Sequence, residues 1–514
     1  MEMQDRSADK VQNPEQTQGF KSAVVKGGLW MLALRMISRM LGIVRLIILA
    51  HYLGPKDFGL MGIALLSMAV LENFSQNGFV PALIQKKQDV RGYLDSAWTA
   101  GLARGLAIMI GLFLAAPYIA HFFDAPESER IIQVIGLSIF IRSLDNIGII
   151  YFHKSLHFSR QFFYEITGVI VDFTVTVAAG IILKSVWALV IGKVLGNIVC
   201  CISSYLLHPY RPRLRWDTKK LKELWGFGKW VLGSGAFVFI IIQGDDFFVG
   251  KLLGATALGY YQMAYRISNL PATEITHVIT QVTFPAYSKF QNDRERLKKA
   301  YLKVLRLTAM LSFPLAGLIF ALSGDFVHIF MGQKWTPIVP AMRALVWWGV
   351  IRALVGSSSS VFLAMAKPKI LTRLQAVQAA MLLLLIWPFV ARWNILGASA
   401  AVVISAFLMF FVRSRILRKN IQCGYWDYYK PLLIPLMVTL TSILLVNWTR
   451  SRILGDVGVL QFLMLAALFV TTFILFAAAV DRELFSDIRN LINRACVSAG
   501  WQIENTITQQ QIED

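Results

Sequence analysis

The sequence predicts an all-α integral membrane protein of about fourteen transmembrane helices, and three observations carry that prediction. First, of 514 residues 56% are hydrophobic and only 16% charged, with a mean hydropathy of +0.57. A soluble chain of this size has too few charged side chains to cover that much apolar surface. Second, long apolar runs recur from end to end, among them Leu102–Phe123, Leu311–Leu322 and Phe462–Val480. A bilayer core is crossed by about 20 mainly apolar helical residues, and the runs match that length. Third, Lys and Arg alternate between dense and sparse loops, as they do in a multi-pass membrane protein.

The elements follow in order. A polar segment, 1–25, carries no apolar core and no small-residue cleavage site, so it does not read as a removable signal peptide. Six spans are expected at 26–50, 58–80, 96–123, 130–151, 161–183 and 186–207, forming an N-terminal lobe, 26–207. A basic cytoplasmic linker, 208–225, separates them from a second lobe, 226–413, with spans at 226–250, 256–283, 303–323, 338–363, 374–391 and 396–413. A final pair, 431–449 and 457–480, precedes a cytoplasmic tail, 481–514. Segments 217–225 and 293–306 read as amphipathic helices lying at the membrane surface, basic side toward the headgroups.

The net charge of +21 raises the question of an acidic partner such as nucleic acid. Topology answers it. With the N-terminus inside, Lys86, Lys87, Arg91, Lys154, Arg160, the run from Arg211 to Lys222, and the run from Lys289 to Arg306 all fall on the cytoplasmic side. Lys367, Lys369, Arg373, Arg413, Arg415, Arg418 and Lys419 join them. The opposite loops carry only Lys56, Arg130, Lys184, Lys334, Arg450, Arg452 and few others. This is the positive-inside pattern, so both termini are expected in the cytoplasm and no nucleic acid is needed. Cys200, Cys201, Cys423 and Cys496 lack metal-ligand spacing, and neither a metal nor a disulfide is expected.

An internal repeat runs at an offset of 200. Gly28, Trp30 and Leu32 match Gly228, Trp230 and Leu232; Leu53, Gly54 and Gly59 match Leu253, Gly254 and Gly259. Further on the offset becomes 210, where Ile141, Arg142, Leu144 and Phe152 match Ile351, Arg352, Leu354 and Phe362. Each repeat starts inside and holds six spans, so the two are parallel, an arrangement that places a substrate path between lobes in transporters.

Charged residues inside spans are rare and mark substrate or ion pathways. Span 1 holds three. At about 100° per residue, Arg35, Ser38, Arg39, Gly42 and Arg45 share an arc of roughly 120°. Guanidinium presents a planar fork of donors that suits phosphate; the structural alternative is that Arg35 and Arg45 snorkel to the two headgroup layers. Arg142 and Arg352 occupy equivalent places in spans 4 and 10 and complete the cationic set. The acidic set comprises Asp245 and Asp246 at the end of span 7, Asp145 in span 4, Glu165 and Asp172 on one face of span 5, and Glu274 in span 8. These are candidates for a gate or for ion coupling. The repeat aligns Asp245 with Arg45, which predicts a salt bridge between them on the outer side; capping of the helix end is the alternative. Pro271, Pro314 and Pro388 fall within spans as hinges or static kinks, and Ser357–Ser360 offer hydroxyls either to sugars or to helix packing.

Several stretches together resemble a known family: Ala82–Lys87, Lys251–Ala255, Gly259–Tyr265, Val282–Gln291, Gly332–Trp335, Ile351–Leu354 and Leu363–Lys367. They are similar to the Wzx-type polysaccharide flippases, near the colanic-acid-type exporters, of the multidrug/oligosaccharidyl-lipid/polysaccharide exporter superfamily. The resemblance implies a V-shaped bundle of two lobes, working as a monomer. It would move an undecaprenyl-pyrophosphate-linked oligosaccharide across the bacterial inner membrane for exopolysaccharide, capsule or O-antigen synthesis. The partners implied are that substrate, membrane lipids, and the polymerase and export machinery; no cofactor is implied, and coupling to Na⁺ or H⁺ is left open. An enzyme is not expected: a polymerase, the less favoured alternative, needs a sizeable extramembrane loop, usually with paired acids, and no Asp-X-Asp pattern appears; no phosphate-binding Gly loop is present, so ATP is not expected to drive transport directly. A small-molecule antiporter of the same superfamily remains the rival transporter reading.

Overall fold

In a computed structural model every element among the described residues is a helix. The described residues are 14–75, 79–85, 90–155, 157–270, 293–452 and 457–480, with Thr273, Thr283, Tyr287, Ser288 and Phe290. The helices are α1 (Pro14–Tyr52), α2 (Pro55–Phe74), α3 (Phe79–Gln85), α4 (Arg91–Phe122), α5 (Ser128–Ser143), α6 (Ile150–Lys154), α7 (Phe158–Leu183) and α8 (Trp187–Leu207). They continue as α9 (Thr218–Ser268), α10 (Arg294–Phe330), α11 (Ile338–Ala364), α12 (Pro368–Ile421), α13 (Tyr425–Ser451) and α14 (Val459–Val480).

Among the described residues nine helices are long and apolar enough to cross a membrane, or ten if the bent pair α5 and α6 counts as one. Length and apolarity therefore return fewer than the fourteen spans expected. The shortfall has a physical basis. Helix α1 carries Arg35, Arg39 and Arg45, and α9 carries Asp245, Asp246 and Lys251, so neither is uniformly apolar. Two helices are also too long for one crossing. At 1.5 Å per residue α9 and α12 would each reach about 80 Å against a core of about 30 Å. Both are broken. In α9 the break is Gly254, at φ 80 and ψ 178, a conformation that only glycine adopts without strain. In α12 it lies at Trp393 and Asn394, the latter at φ 51.

Two expectations change here. Span 4 does not run through 130–151, because α5 stops at Ser143 and the chain turns by 64°. The surface helix expected over 217–225 is the first part of α9, and that over 293–306 belongs to α10, each continuous with the span that follows. Of the two readings of Ser357–Ser360, packing is favoured: Ser357 and Ser358 turn their hydroxyls onto carbonyls of their own helix, and Ser357, Ser358 and Ser360 are buried.

By contact the chain forms two compact units. One comprises Met1–Ile267, Phe330–Leu345 and Pro368–Met409; the other comprises Ser268–Ile329, Val346–Lys367 and Phe410–Asp514.

In the first unit, α7 and α8 pack closely along a seam of small residues. A Cβ on Gly192 would lie 1.8 Å from the Thr176 hydroxyl, and one on Gly168 would lie 3.0 Å from the Gly196 carbonyl oxygen. Glycine thus lets the two backbones approach, as it does where membrane helices associate without hydrophobic driving force. The linker after α8 is strapped to α4. Asp95 accepts from the Tyr210 hydroxyl (2.6 Å) and the Arg213 amide (3.0 Å), and Thr99 accepts from the Arg215 amide (3.0 Å).

One crossing in this unit follows the sequence repeat. A Cβ on Gly59 would sit 1.7 Å from the carbonyl oxygen of Ala255, and a Cβ on Gly259 would sit 1.9 Å from that of Pro55. Each partner is the other pair's equivalent at an offset of 200. The contact is reciprocal, as a two-fold interface is.

In the second unit, α10 packs on α13 and α14. Ala321, Leu322, Ile443, Val446, Leu465 and Phe469 form its apolar core. The half-exposed Arg450 donates to the buried Asp325 at 2.8 Å, and the Tyr301 and Tyr428 hydroxyls meet at 3.2 Å.

Candidate functional site

Helix periodicity builds a cavity inside the first unit. Glu165, Gly168, Val169 and Asp172 on α7 recur at intervals of three and four, and so do Lys193, Gly196, Asn197 and Cys200 on α8. Each set is one face of its helix. With Met68 and Glu72 of α2 and Ser138, Ile139 and Arg142 of α5 they line about 390 Å³. The glycines on the seam bring the two charged stripes together.

Charge in this cavity is balanced by specific pairs. Arg45, arriving from α1, donates to the carboxylate of Asp172, whose other oxygen accepts from the Thr176 hydroxyl at 3.1 Å. Arg142 lies 3.5 Å from Asp145, one turn on, and Tyr164 donates to the same carboxylate oxygen at 2.7 Å. Gln161 donates to Glu165. Arg104 holds the end of α2 through the Glu72 carbonyl and the Ser75 hydroxyl, both at 3.0 Å. Lys193 lines the cavity without an ion pair among the described residues, while Asp172, Arg142, Arg45 and Glu72 stand near enough to act on its charge.

A second group gathers around α1 and α9 of the same unit. Arg39, Arg45 and Asp246 are the charged groups near enough to act electrostatically on Arg266, which is exposed. Asp246 accepts from the Gln262 amide at 3.0 Å, and the buried Asp245 accepts from the Tyr261 hydroxyl at 2.6 Å. Three guanidinium groups and two carboxylates gather in this region, and one of the three, Arg45, also pairs with Asp172.

The structure thus brings together Arg142, Glu165 and Asp172, with Arg45 and Asp145 attached through their ion pairs. Arg39 belongs with the second group, and Arg35 lies half-buried one turn before it on α1. The expected Arg45–Asp245 bridge is not formed. Arg45 is committed to Asp172, and the equivalence of two positions in a repeat does not make them neighbours. Arg352, in the second unit, lies over the Trp348 ring at 5.0 Å. Glu274 and Pro271 lie outside the described residues. Sequence reasoning missed Glu72, Lys193 and Arg266. The signal was available, since each is a charge within a mainly apolar run, the rule that singled out α1.

The comparisons with known proteins decide the family. The sequence profile of a family described as "Polysaccharide biosynthesis protein" matches residues 48–340, more than half of the chain. The chain belongs to that family. It is similar to the lipopolysaccharide biosynthesis protein WzxC of Escherichia coli K12, 24% identical over 354 residues that cover 68% of this chain and 71% of that protein. It is also similar to the teichuronic acid biosynthesis protein TuaB of Bacillus subtilis 168, 23% identical over 364 residues covering 70% and 75%. Among solved structures the fold matches the lipid II flippase MurJ with a TM-score of 0.71 at 17% identity, covering 89% of this chain and 99% of that one. An inward-facing multidrug MATE transporter matches with 0.60 at 16% identity, covering 77% and 98%. This member of the polysaccharide biosynthesis family is a multi-pass bacterial membrane transporter of the Wzx type, and not an enzyme.

Proposed function

We propose that the protein flips an undecaprenyl-pyrophosphate-linked oligosaccharide from the cytoplasmic to the periplasmic leaflet, by alternating access of two lobes. The observation that carries this reading is that three guanidinium groups, Arg39, Arg45 and Arg266, lie near one another on α1 and α9, helices read as membrane-spanning. Charged groups inside a bilayer are rare and mark substrate pathways. A pyrophosphate supplies fixed negative charge and paired oxygens that match the planar guanidinium fork. A lipid carrier explains why a transporter rather than a channel is required. WzxC and TuaB, by their names, serve polysaccharide and teichuronic acid synthesis, which fits a glycan cargo.

The lobes are 26–207 and 226–413, and the reciprocal crossing of Gly59 and Gly259 supports their parallel relation. Fourteen crossings follow if α1 and the bent pair each count once and α9 and α12 twice, with both termini in the cytoplasm. Ion coupling is assigned to the cavity of the first unit. Glu72, Glu165 and Asp172 can take a proton or Na⁺ there, and Arg45 and Lys193 report the change to neighbouring helices.

The test is export in a strain whose own flippase is deleted. Arg39→Ala and Arg266→Ala should each lower polymer export at least tenfold with normal protein in the membrane, while lipid-linked intermediate accumulates inside. Arg→Lys at the same positions keeps charge but loses the fork, and should fall between. Full export by both alanine variants would remove the phosphate reading. A small-molecule antiporter is the second reading, favoured by the MATE-like fold, and it requires efflux of cationic dyes by the unaltered protein.

A further inference from the structure

Helix α1 ends at Tyr52, and its last carbonyls have no partner within the helix. Two of them are capped from far along the chain. The indole Nε1 of Trp335 donates to the Ala50 carbonyl and the ammonium of Lys334 to the His51 carbonyl, each at 2.9 Å. Both donors sit on one short turn, Gln333–Trp335, entered through Gly332 at φ 90. Trp335 is fully buried, edge-on to Phe58 at 5.3 Å and to Tyr260 at 6.0 Å. The Tyr260 hydroxyl in turn donates to the Lys334 carbonyl at 3.0 Å. One turn therefore holds the α1–α2 corner and the segment after the α9 break at once. All of these residues belong to the first unit.

The neighbouring contacts cannot do the same work. Where Gly59 and Gly259 cross there is no side chain to bond, only backbone in van der Waals contact. The Lys251–Asp124 pair at this end is solvent-exposed, and such pairs are weak. The Gly332–Trp335 turn supplies directional hydrogen bonds, and the one from the Trp335 indole is shielded from water.

We propose that this turn is a latch that keeps this end shut by capping the carbonyls of α1. It lets go when α1–α2 and α9 part, and water then takes over the freed carbonyls. The proposal rests on alternating access, with this end facing the periplasm.

The experiment uses full-length protein in membranes, with native cysteines replaced by serine and one cysteine placed at Leu53, which is fully buried. Labelling by a membrane-impermeant maleimide from the periplasmic side is read as a rate. Trp335→Phe keeps the ring and loses the donor. It should raise the rate about fivefold, which corresponds to about 1 kcal/mol at 1.4 kcal/mol per tenfold. Lys334→Ala should raise it less. Gly59→Val, which drives a side chain into the Ala255 backbone, serves as a wedge that forces this end open. If the wedge leaves Leu53→Cys unlabelled, alternating access at this end fails. A wedge that opens the end while Trp335→Phe leaves the rate unchanged overturns the latch alone. So does an equal rise at Leu112→Cys, buried in the middle of α4, because that would be general loosening.

Discussion

Arg45 and Asp172 meet inside the first unit with about a quarter of each side chain exposed. Removing one partner of a shielded pair leaves a charge in a poor solvent, while partial exposure lets water soften the loss. Arg45→Asp and Asp172→Arg should each abolish export, and the double exchange should recover part of it at unchanged protein level in the membrane. A double exchange no better than the single ones would separate the two residues. Both were legible in the sequence, because a charge in an apolar run stands out. Their pairing was not. The repeat pointed from Arg45 to Asp245, yet a repeat records which positions are alike, and the rotation of α1 against α7 decides which ones touch. Lys193 and Glu72 obey the same rule as Arg45; the seam of Gly192 and Gly196 brings Lys193 up to α7, and Glu72 reaches the same cavity from α2.

At the scale of the element, the ends of most helices fall within a few residues of the apolar runs, because the bilayer sets their length. The break between α5 and α6 does not announce itself in the same way. It is held by Asn146, which is fully buried. Its amide donates to the Tyr210 and His208 carbonyls at 2.6 and 3.2 Å, its side-chain oxygen accepts from the Gly148 amide, and its own N–H donates to the Ser204 hydroxyl. Three of these partners lie 58 to 64 residues away, so no local pattern could reveal them. Asn146→Ala leaves the buried Gly148 amide without its side-chain acceptor, a loss that costs about 1–3 kcal/mol, and leaves the His208 and Tyr210 carbonyls to Arg211 alone. The midpoint of thermal unfolding in detergent should fall clearly, with Asn146→Asp intermediate because it keeps the acceptor for Gly148. An unchanged midpoint in Asn146→Ala would mean that packing alone sets the bend.

For the whole molecule, the net charge of +21 is the strongest clue to orientation. Reporter fusions at Thr218, Asn292 and Lys419 should read cytoplasmic, and those at Glu127, Gln333 and Arg452 periplasmic. A periplasmic signal at Thr218 would invert the orientation and with it the assignment of the latch to the outer face. The family and the all-helical membrane fold were legible because they are written in composition and in recurring short stretches. The two compact units were not. Segments 330–345 and 368–409 cluster with the first 267 residues, and which segments cluster depends on packing rather than on likeness between repeats.

The crossing of Gly59 and Gly259 also bears on how this protein can change. What each glycine faces is main chain, the carbonyls of Ala255 and Pro55. Main chain cannot be trimmed by substitution. A larger residue at either glycine therefore has no compensating small residue opposite it, and second-site suppressors at the contact itself are closed off. Recovery is left to reversion, or to distant changes that reset the spacing of α2 and α9. The two glycines are bound into one inheritance, each fixed by the backbone of the other's copy.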